Sequence, residues 1–439
     1  MRFALSGFNV IMFPMRRSVL TAFLFGIGSH LLIFQAYATI DATLQKQLGN
    51  PSNATTNVGN HAHLLIQRAV EALDYSDNLN QPAWASWDLT AADIGSATRS
   101  TIFFTDTNLP AGYTRITTAD YVGVGAIGFN RGHLCPSADR TASRADNDAV
   151  FFMSNIMPQS AANNQSPWGN FETFCRAQLS TNELLIICGP SGFGTNLLPL
   201  GKVFIPSNTW KIVVAVPLGA GTALSRLNST NRVMAISIPN ATNALSSAWQ
   251  TYLTSPRQIE LDTGLIFFSA LAGNLADEYR ARIDGALAIG ITNLSPVSGS
   301  VGSSVVIKGT NFSGTLAVRF NGTNAAFTLN SSNQITASVP AGASTGPVSV
   351  AAAGGVSASA VNFTVTATVR PGFQSYKVTP TNVSLVITGT VANSYTISAA
   401  TNLANANWTT ILITNPAALP FTFVDTNKLP QRFYRVQNP

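Results

Sequence analysis

Apolar and polar residues follow several distinct spacings between residues 60 and 270. The spacing at 64–73 is that of a helix, whereas 83–89 and 121–129 alternate like half-buried strands. Continuous apolar runs predict four buried strands, at 183–188, 202–205, 210–216 and 233–238. Helices are predicted at 163–180, with Asn163 as the N-cap, and from 248 to near 268. Because strands and helices mix without a regular βαβ rhythm, the pattern favours an α+β core.

The pattern changes after residue 286. Short β-prone runs separated by Gly, Ser and Asn continue from there to the end, with almost no acidic residues and no cysteine. This composition predicts all-β, sandwich-like modules, which we divide into 287–367 and 368–439. Upstream, residues 39–60 are polar and rich in Asn and Thr, which predicts a flexible segment before a globular domain at 61–286.

Residues 1–38 have the pattern of a secretory signal peptide. Arg16 and Arg17 precede an apolar run at 19–34, and an Ala-Tyr-Ala sequence follows, so cleavage is predicted before Thr39. A membrane anchor is the alternative, but the run is short and no basic flank follows it. We therefore expect a secreted or extracellular protein with no membrane segment in its mature form. A periplasmic or cell-surface location is also compatible with such a signal.

The formal net charge of +6 is distributed unevenly along the chain. Residues 39–286 contain 15 basic and 18 acidic residues, a net of −3. Residues 287–439 contain seven basic residues and one acidic residue, a net of +6. Any affinity of the globular domain for phosphate must therefore come from local clusters of arginine, while the C-terminal modules offer weak, sequence-independent attraction to a polyanion.

The three cysteines are Cys135, Cys175 and Cys188. In an oxidising compartment one disulfide is expected, and we assign it to Cys175 and Cys188, which leaves Cys135 as a free thiol. The chain has no Cys-x-x-Cys pair and only four histidines, so its spacing does not indicate a zinc site.

One short region contains the residue types that phosphodiester hydrolysis requires. The reaction needs an activated water, a metal that holds negative charge, and cations for the remaining phosphate oxygens. His133 and Arg131 are two residues apart, so a base and a guanidinium share one side of an extended strand. Asn164 offers a neutral amide oxygen, which suits a mostly hydrated Mg²⁺ or Mn²⁺.

The helix predicted at 163–180 carries further candidates. Asn164, Trp168, Glu172 and Arg176 follow one another at intervals of four residues, so they form one stripe along the helix. A metal ligand, a carboxylate and a cation are therefore expected to face one cleft. Glu172 can orient a metal-bound water, and Arg176 can bind phosphate or hold Glu172 ionised.

These residues are part of an ordered series of motifs that resembles the DNA/RNA non-specific endonuclease family. The motifs are Arg99, Asp106-Thr107-Asn108-Leu109-Pro110, Asn130-Arg131-Gly132-His133-Leu134, Pro136, Asp139-Arg140, Ser154-Asn155-Ile156-Met157-Pro158-Gln159, Asn164, Trp168, Glu172 and Glu260-Leu261-Asp262-Thr263-Gly264-Leu265. That family includes secreted bacterial nucleases and mitochondrial endonuclease G, and its site is the ββα-metal or His-Me finger. Because several motifs occur in the same order over about 60–285, chance agreement is a poor explanation.

The resemblance implies a ββα-metal nuclease domain with a mixed or antiparallel sheet, and a role for each site residue. His133 would be the general base, and Asn164 would be the only direct protein ligand of one hydrated Mg²⁺, with Mn²⁺ as an alternative. Glu172 would bind the metal through water, and Asn155 would support His133 or the metal waters.

The resemblance also implies the substrates and products. Arg99, Arg131 and Arg176 would contact phosphate oxygens of DNA and RNA. The expected activity is secreted, metal-dependent and sugar-non-specific hydrolysis that leaves a 5′-phosphate and a 3′-hydroxyl.

A second resemblance covers the first β-module. The matching segments are Ile291-Thr292-Asn293-Leu294-Ser295-Pro296, Gly299, Gly302, Lys308-Gly309-Thr310-Asn311-Phe312, Val318-Arg319-Phe320-Asn321-Gly322 and Gly346-Pro347-Val348. They are similar to the immunoglobulin-like IPT/TIG family, which implies a small β-sandwich at 287–367. Residues 368–439 are expected to form a further small β-domain, and the ligands of both modules and the oligomeric state stay open.

One position departs from the nuclease pattern, because the family usually has Asp where this chain has Asn130. Asp and Asn are nearly isosteric, so the local turn can survive, but a negative charge near Arg131 and His133 is lost. His133 should then be a weaker base, with reduced activity or a shifted pH optimum.

Two other functions compete with the nuclease interpretation. The first is a surface binding or adhesion protein whose nuclease-like domain is inactive and whose basic β-modules carry the function. The second is a phosphodiesterase that acts on small diesters. The intact set of Arg131, His133, Asn164 and Glu172 favours the nuclease.

Overall fold

The computed structural model of the protein describes residues 44–366, 371–389, 394–403, 407–427 and 429–437. The predicted signal peptide at 1–38 and the start of the predicted flexible segment, 39–43, lie outside the described residues. In the described part of the chain, no helix is both long enough and apolar enough to cross a bilayer.

The region from 44 to 285 contains nine strands, and seven of them form one antiparallel sheet. Its nine strands are β1 (Leu64–Gln67), β2 (Ala72–Ser76), β3 (Gln81–Leu89), β4 (Phe129–His133), β5 (Ile156–Ser160), β6 (Asn182–Leu197), β7 (Phe204–Pro217), β8 (Arg232–Pro239) and β9 (Leu253–Thr254). Seven of them pair in the order β1-β2-β3-β6-β7-β8-β9. The other two, β4 and β5, form a separate antiparallel pair.

Short helices connect and cover these strands. They are α1 (Arg144–Ala149), α2 (Ala161–Asn163), α3 (Gly169–Arg176), α4 (Ala223–Arg226), α5 (Pro256–Thr263) and α6 (Gly273–Ala281). A π-helical turn, Asn164–Trp168, joins α2 to α3 and makes one continuous helical segment. The succession β4, β5 and this segment is the ββα unit that the sequence predicts, so the predicted α+β fold class is confirmed.

The central strands are buried on both faces, which explains their continuous apolar runs. In β6, Leu184 and Ile186 face one hydrophobic core, whereas Leu185 and Ile187 face the other. We call these the first core and the second core. A strand that packs on both sides has no polar face, so its sequence lacks the alternation of a surface strand.

The helices divide between the two faces. Phe171 of α3 packs in the first core, together with Trp168. Ile259 of α5 and Tyr279 of α6 pack in the second core. The helical segment that carries the candidate site residues and the last two helices therefore lie on opposite faces of the central sheet.

Three of the helices and strands predicted in this region are wrong. Residues 64–73 form β1 and part of β2, with Leu64 opposite Tyr75, because two short buried strands place apolar residues at spacings that imitate a helix. For residues 121–129 the sequence predicts a strand, but two 3-10 turns, Thr118–Tyr121 and Val124–Ile127, occupy this stretch up to β4. Gly123 separates the turns, and its φ of 79° lies in the left-handed region, which interrupts a strand.

The third wrong prediction is the long helix from 248 to near 268. This stretch is divided into a 3-10 turn at Trp249–Tyr252, the edge strand β9 and the helix α5. Ser255 accepts a hydrogen bond from the Gln258 N–H and begins α5, and Gly264 in the left-handed region ends it. The strands predicted at 83–89, 183–188, 210–216 and 233–238 are confirmed as parts of β3, β6, β7 and β8.

The predicted disulfide between Cys175 and Cys188 is also wrong. Cys135, Cys175 and Cys188 are all free and all belong to the first core. The Cys188 thiol donates instead to the Leu134 carbonyl oxygen at 3.4 Å. In an apolar core a cysteine packs as a small hydrophobic residue, so three cysteines close in sequence do not imply a bond.

All-β regions follow residue 285. Their strands are β10 (Gly290–Ser295), β11 (Ser298–Gly299), β12 (Ser304–Thr310), β13 (Ala317–Phe320), β14 (Thr323–Ala325), β15 (Phe327–Ser331), β16 (Gln334–Ser338), β17 (Gly346–Ala352), β18 (Gly355–Val365), β19 (Gly372–Val378), β20 (Val383–Thr388), β21 (Tyr395–Ala400), β22 (Thr409–Thr414), β23 (Phe421–Asp425) and β24 (Phe433–Gln437). The sheets β10-β12-β16-β15 and β11-β18-β17-β13-β14 enclose one core, and β19-β20-β23 and β22-β21-β24 enclose another. The predicted β-sandwich modules are thus confirmed.

An ion pair with a buried guanidinium joins the first sandwich to α6. The Arg319 side chain on β13 is 2 % exposed and donates to the Asp277 carboxylate at 2.7 Å. Arg280 contacts Asp277 at 3.3 Å and Glu260 at 2.9 Å, which extends the network to α5. A backbone hydrogen bond from the Ile283 N–H to the Ala353 carbonyl, 3.0 Å long, adds a second contact.

We predict that Asp277→Asn lowers the free energy of unfolding by about 3 kcal/mol, because it leaves the Arg319 guanidinium buried without its counterion. Guanidinium denaturation followed by tryptophan fluorescence measures this change. The matched control is Asp148→Asn, which removes the exposed Arg144–Asp148 pair and should change stability by less than about 1 kcal/mol. Equal effects of the two substitutions would contradict a special role for the buried pair.

Candidate functional site

Five of the seven predicted site residues line one cleft. The cleft has a volume of about 130 Å³ and lies between the end of β4 and the helical segment. Its lining residues are Arg99, Arg131, His133, Pro136, Ser137, Ala138, Asn164 and Glu172. The two predicted site residues outside this lining are Asn155 and Arg176.

Asn155 holds the backbone that follows His133. Its side-chain oxygen accepts from the Cys135 N–H at 3.0 Å, and its Nδ2 donates to the Cys135 and Val150 carbonyls at 2.9 and 2.8 Å. Its backbone carbonyl accepts from the Leu134 N–H at 3.0 Å. Asn155 is fully buried, so it fixes where β4 ends and does not face the cleft.

His133 sits in an aromatic environment. Its ring packs edge-on against Phe151, with centroids 4.6 Å apart, and is tilted against Phe103 at 5.4 Å. The side chain is buried, and its Nε2 has no hydrogen-bond partner among the described residues. Burial, followed by the charges of Arg99 and Arg131, lowers the pKa of His133 from 6.5 to about 3. The imidazole is therefore neutral at physiological pH and able to accept a proton.

The two cleft arginines rest on the same aromatic rings that enclose His133. The Arg131 guanidinium lies 4.2 Å from the centroid of Phe103, and the Arg99 guanidinium lies 4.9 Å from that of Phe151. Cation–π contact of this kind stabilises each charge without using its N–H donors. Both guanidinium groups therefore keep donors for an anion in the cleft.

The helical segment begins at an N-cap residue and then contains a π-helical turn, which is wider than an α-helical one. Ser160 accepts from the Asn163 N–H at 3.2 Å, so the N-cap is Ser160 and the predicted cap at Asn163 is wrong. The π-helical turn starts at Asn164 and contains Pro167, which has no N–H to contribute to a regular helix. This turn carries Asn164 into the cleft, two helical turns before Glu172.

Glu172 is held by a lysine from the central sheet. Its Oε1 accepts from Lys211 Nζ at 2.8 Å, and the Lys211 side chain is only 2 % exposed. The ammonium group also lies over the rings of Trp168 and Trp87, at 4.2 and 5.3 Å from their centroids. Burial would lower the pKa of Lys211, but the Glu172 carboxylate outweighs it and the pKa is raised. The lysine is therefore charged, and the ion pair fixes Glu172 at the cleft.

Arg176 pairs with Asp139 and not with Glu172. Its Nη1 donates to Asp139 Oδ1 at 2.9 Å, and Trp87 Nε1 donates to Asp139 Oδ2 at 3.1 Å. Arg176 lies one turn beyond Glu172, where the carboxylate of the 3-10 turn Ser137–Asp139 is within its reach. Its role toward phosphate stays a prediction, and this ion pair ties the C-terminal end of α3 to the loop after β4.

The cleft has a donor set that fits a hydrated divalent cation. Asn164 supplies an amide oxygen, and Glu172 supplies a carboxylate of which the Lys211 pair uses Oε1 alone. A cleft of this volume has room for several waters, which suits a metal that keeps most of its water ligands. Among the described residues there is no group of three or more His, Cys, Asp or Glu side chains suited to a metal.

Asn130 does not face the cleft. It is two residues before Gly132 on β4, so the two share the face opposite to Arg131 and His133. On the neighbouring strand it is directly opposite Gln159. The residue that replaces the expected Asp is therefore separated from the His133 side chain by the strand itself.

Three residues of the site escape the sequence motifs. Lys211 holds Glu172. Phe103 contacts Arg131 and His133, and Phe151 contacts Arg99 and His133. Lys211 does carry a signal, because it is the only charged residue in the apolar run 210–216 and so needs a buried partner. The two phenylalanines carry none, since an apolar residue near a motif is usually part of the core.

Comparison with known families agrees with the motifs. A profile of the DNA/RNA non-specific endonuclease family matches residues 49–274, and a profile of the IPT/TIG domain matches residues 290–365. Both resemblances inferred from the sequence are thereby confirmed.

Individual relatives each cover about half of the chain. A protein named nuclease from Nostoc sp. (strain PCC 7120 / SAG 25.82 / UTEX 2576) is 38 % identical over 238 residues, which covers 54 % of this chain and 85 % of the relative. The mitochondrial nuclease EXOG of Danio rerio is 25 % identical over 279 residues, covering 57 % and 75 %. Mitochondrial endonuclease G of Bos taurus is 27 % identical over 227 residues, covering 48 % and 72 %. A solved EndoG/EndoGI complex aligns with 54 % of this chain and 95 % of its own at TM-score 0.45 and 18 % identity.

We predict that Lys211→Met lowers the free energy of unfolding by about 3 kcal/mol, because the Glu172 carboxylate loses its buried counterion. Urea denaturation of the full chain measures the loss. The double variant Lys211→Met with Glu172→Gln should recover at least half of it, since it removes both charges together. A double variant no more stable than Lys211→Met alone would show that the ion pair is not the source of the loss.

Proposed function

Because the chain belongs to the DNA/RNA non-specific endonuclease family, we propose that it is a metal-dependent endonuclease that hydrolyses phosphodiester bonds of DNA and RNA. The products would carry a 5′-phosphate and a 3′-hydroxyl. One arrangement supports this proposal most directly: a neutral buried histidine, two arginines, an amide oxygen and a carboxylate share a cleft of about 130 Å³.

His133 acts as the general base in this proposal. Because burial and the two arginines lower its pKa to about 3, the ring is neutral at pH 7 and acts as a weak base. The neutral ring has a free lone pair for the proton of the attacking water. The contacts with Phe103 and Phe151 hold the ring and exclude bulk water from it. Asn155 acts indirectly, because it anchors the peptide that follows His133.

Arg99 and Arg131 hold the phosphate. Residues 39–286 carry a net charge of −3, so attraction of the substrate depends on these two local charges. As the pentavalent phosphorus forms, charge builds on the non-bridging oxygens, and guanidinium donors opposite those oxygens stabilise it. The rigid aromatic rings beneath them keep both side chains positioned before the substrate arrives.

Asn164 and Glu172 would hold a Mg²⁺ or Mn²⁺ ion. Asn164 would bind it directly, and Glu172 would bind its water ligands, with Lys211 holding the carboxylate in place. When bound, such an ion neutralises charge on the phosphate and on the leaving oxygen. Arg176 belongs to this proposal only through its hold on Asp139 and thereby on the loop that lines the cleft.

We also propose that the protein is secreted or held outside the cell. Support comes from the sequence of residues 1–38, with its basic start, apolar run and small-residue end. Extracellular nucleic acid would then be the substrate. An inactive, adhesive form of the protein is the competing function, and a direct activity assay separates the two.

Incubated with plasmid DNA and with RNA, the purified protein should degrade both in Mg²⁺ and neither in EDTA. We expect His133→Ala to lower kcat by about 10²- to 10⁴-fold, because the general base is lost. Asn164→Ala should give a comparable loss that excess Mn²⁺ only partly restores. Gel electrophoresis and end-labelling measure the rates and the product ends. Undiminished cleavage by His133→Ala, or none by the native protein with any divalent metal, would defeat the proposal.

The pH dependence provides a further prediction. The acidic limb of kcat/KM should lie below pH 6.5, because burial and the two arginines lower the pKa of His133 to about 3. Arg131→Gln should move this limb to higher pH, since removing a positive charge makes protonation of His133 easier. Arg257→Gln, on the opposite face of the sheet, is the control and should leave the limb unchanged. A limb at or above pH 6.5 in the native protein would contradict the assignment of His133.

A further inference from the structure

A chain of buried amides runs behind the cleft and connects β5 to the central sheet. Gln159 Nε2 donates to Asn163 Oδ1 at 2.9 Å. Asn163 Nδ2 in turn donates to the Thr209 hydroxyl at 2.9 Å and to the Pro239 carbonyl at 3.1 Å. The side chains of Gln159, Asn163 and Thr209 are fully buried. We call Gln159 and Asn163 the amide chain.

The direction of the hydrogen bonds in the amide chain is fixed at the sheet. A backbone carbonyl can only accept, so the contact with Pro239 requires Asn163 to present Nδ2 to the sheet. Its Oδ1 then faces Gln159, which must present Nε2 in return. The Gln159 Oε1 atom consequently points away from the sheet, toward β4, and needs a donor there.

The position opposite Gln159 holds an unused donor. Gln159 and Asn130 are direct partners across the β4–β5 pair, so their side chains share one face. Gln159 Oε1 and Asn130 Nδ2 are both buried, and neither has a hydrogen-bond partner among the described residues. A buried acceptor and a buried donor on facing residues are complementary, and each is costly to leave without a partner.

Gln159 also lies directly against the strand that carries His133. A Cβ atom on Gly132 would be 2.3 Å from Gln159 Oε1 and 2.5 Å from Gln159 Cβ, so only glycine leaves room for this side chain. The same glutamine thus touches the residue before His133 and bonds the residue before Asn164.

We propose that Asn130 donates to Gln159 Oε1, and that Asn130 and Gln159 are positioning residues that fix β4 relative to the helical segment. Asn130 completes the amide chain from β4 to the carbonyl of Pro239. An ionised Asp at position 130 would face Gln159 Oε1 with a second acceptor, so the fixed direction of the chain accounts for Asn at this position. The link to catalysis rests on the proposed function, whereas the hydrogen bond itself does not.

Thermal unfolding at several pH values tests the hydrogen bond without an activity assay. Asn130→Asp should lower Tm by roughly 4 °C or more at pH 7, because a buried carboxylate faces an acceptor. The introduced group then has a higher pKa in the folded state than its unfolded value near 4. Its penalty is complete above the folded pKa and disappears as the pH falls toward about 4, where the carboxyl group is protonated and donates.

Two further variants isolate the effect. Asn130→Ala removes the donor without adding charge, so its loss of Tm should be smaller and equal at pH 4 and pH 7. Asn57→Asp adds the same charge at an exposed turn where the side chain accepts through Oδ1, and it should leave Tm unchanged. The proposal is overturned if Asn130→Asp is as stable as the native protein at pH 7, or if its deficit relative to the native protein does not shrink at pH 4.

Kinetics test the positioning role. Asn130→Ala should lower kcat by about tenfold while KM stays within about twofold, since it shifts catalytic groups and leaves the phosphate contacts in place. An unchanged kcat would overturn that role. An inactive native protein would defeat the proposed function, but the pH dependence of Tm would still decide the hydrogen bond.

Discussion

The ion pair between Lys211 and Glu172 is the constraint on which the geometry of the cleft depends. A lysine inside an apolar sheet is tolerable only when a carboxylate reaches it, so α3 must lie where Glu172 can do so. Once α3 is held there, Trp168 covers the ammonium group and the π-helical turn carries Asn164 toward His133. Because the buried lysine needs a counterion, the pair fixes the distance between β7, which carries Lys211, and α3, which carries Glu172.

The sequence motifs predict the cleft well because its residues are close in sequence and lie on regular elements. Alternation along β4 brings Arg131 and His133 together, and helical spacing brings Asn164 and Glu172 together. Asn155 and Arg176 are outside the lining because each bonds to a group that spacing does not reveal, the Cys135 backbone and Asp139. Lys211, Phe103 and Phe151 approach from distant segments, and only tertiary structure shows those contacts. Tertiary structure also explains why the helix predicted at 64–73 is wrong, since pairing between β1 and β2 outweighed the local spacing of apolar residues.

The placement of the first sandwich affects how much of the positive charge of residues 287–439 is available to a polyanion. It docks on α6, across the central sheet from the cleft, and Arg319 is used for that contact. Arg432 is likewise paired with Asp425. Fewer of the seven basic residues are therefore available to attract a polyanion than their number suggests. The first sandwich therefore contributes no residue to the lining of the cleft.

The three free cysteines have a consequence for where the protein can operate. Burial raises the pKa of Cys188 to about 12 and raises the pKa of Cys135 and Cys175 as well, so none forms the thiolate through which thiols react. No cross-link in the described part of the chain depends on an oxidant, and no accessible sulfur there can be trapped by one. The described fold therefore contains no bond that a change between reducing and oxidising conditions would make or break.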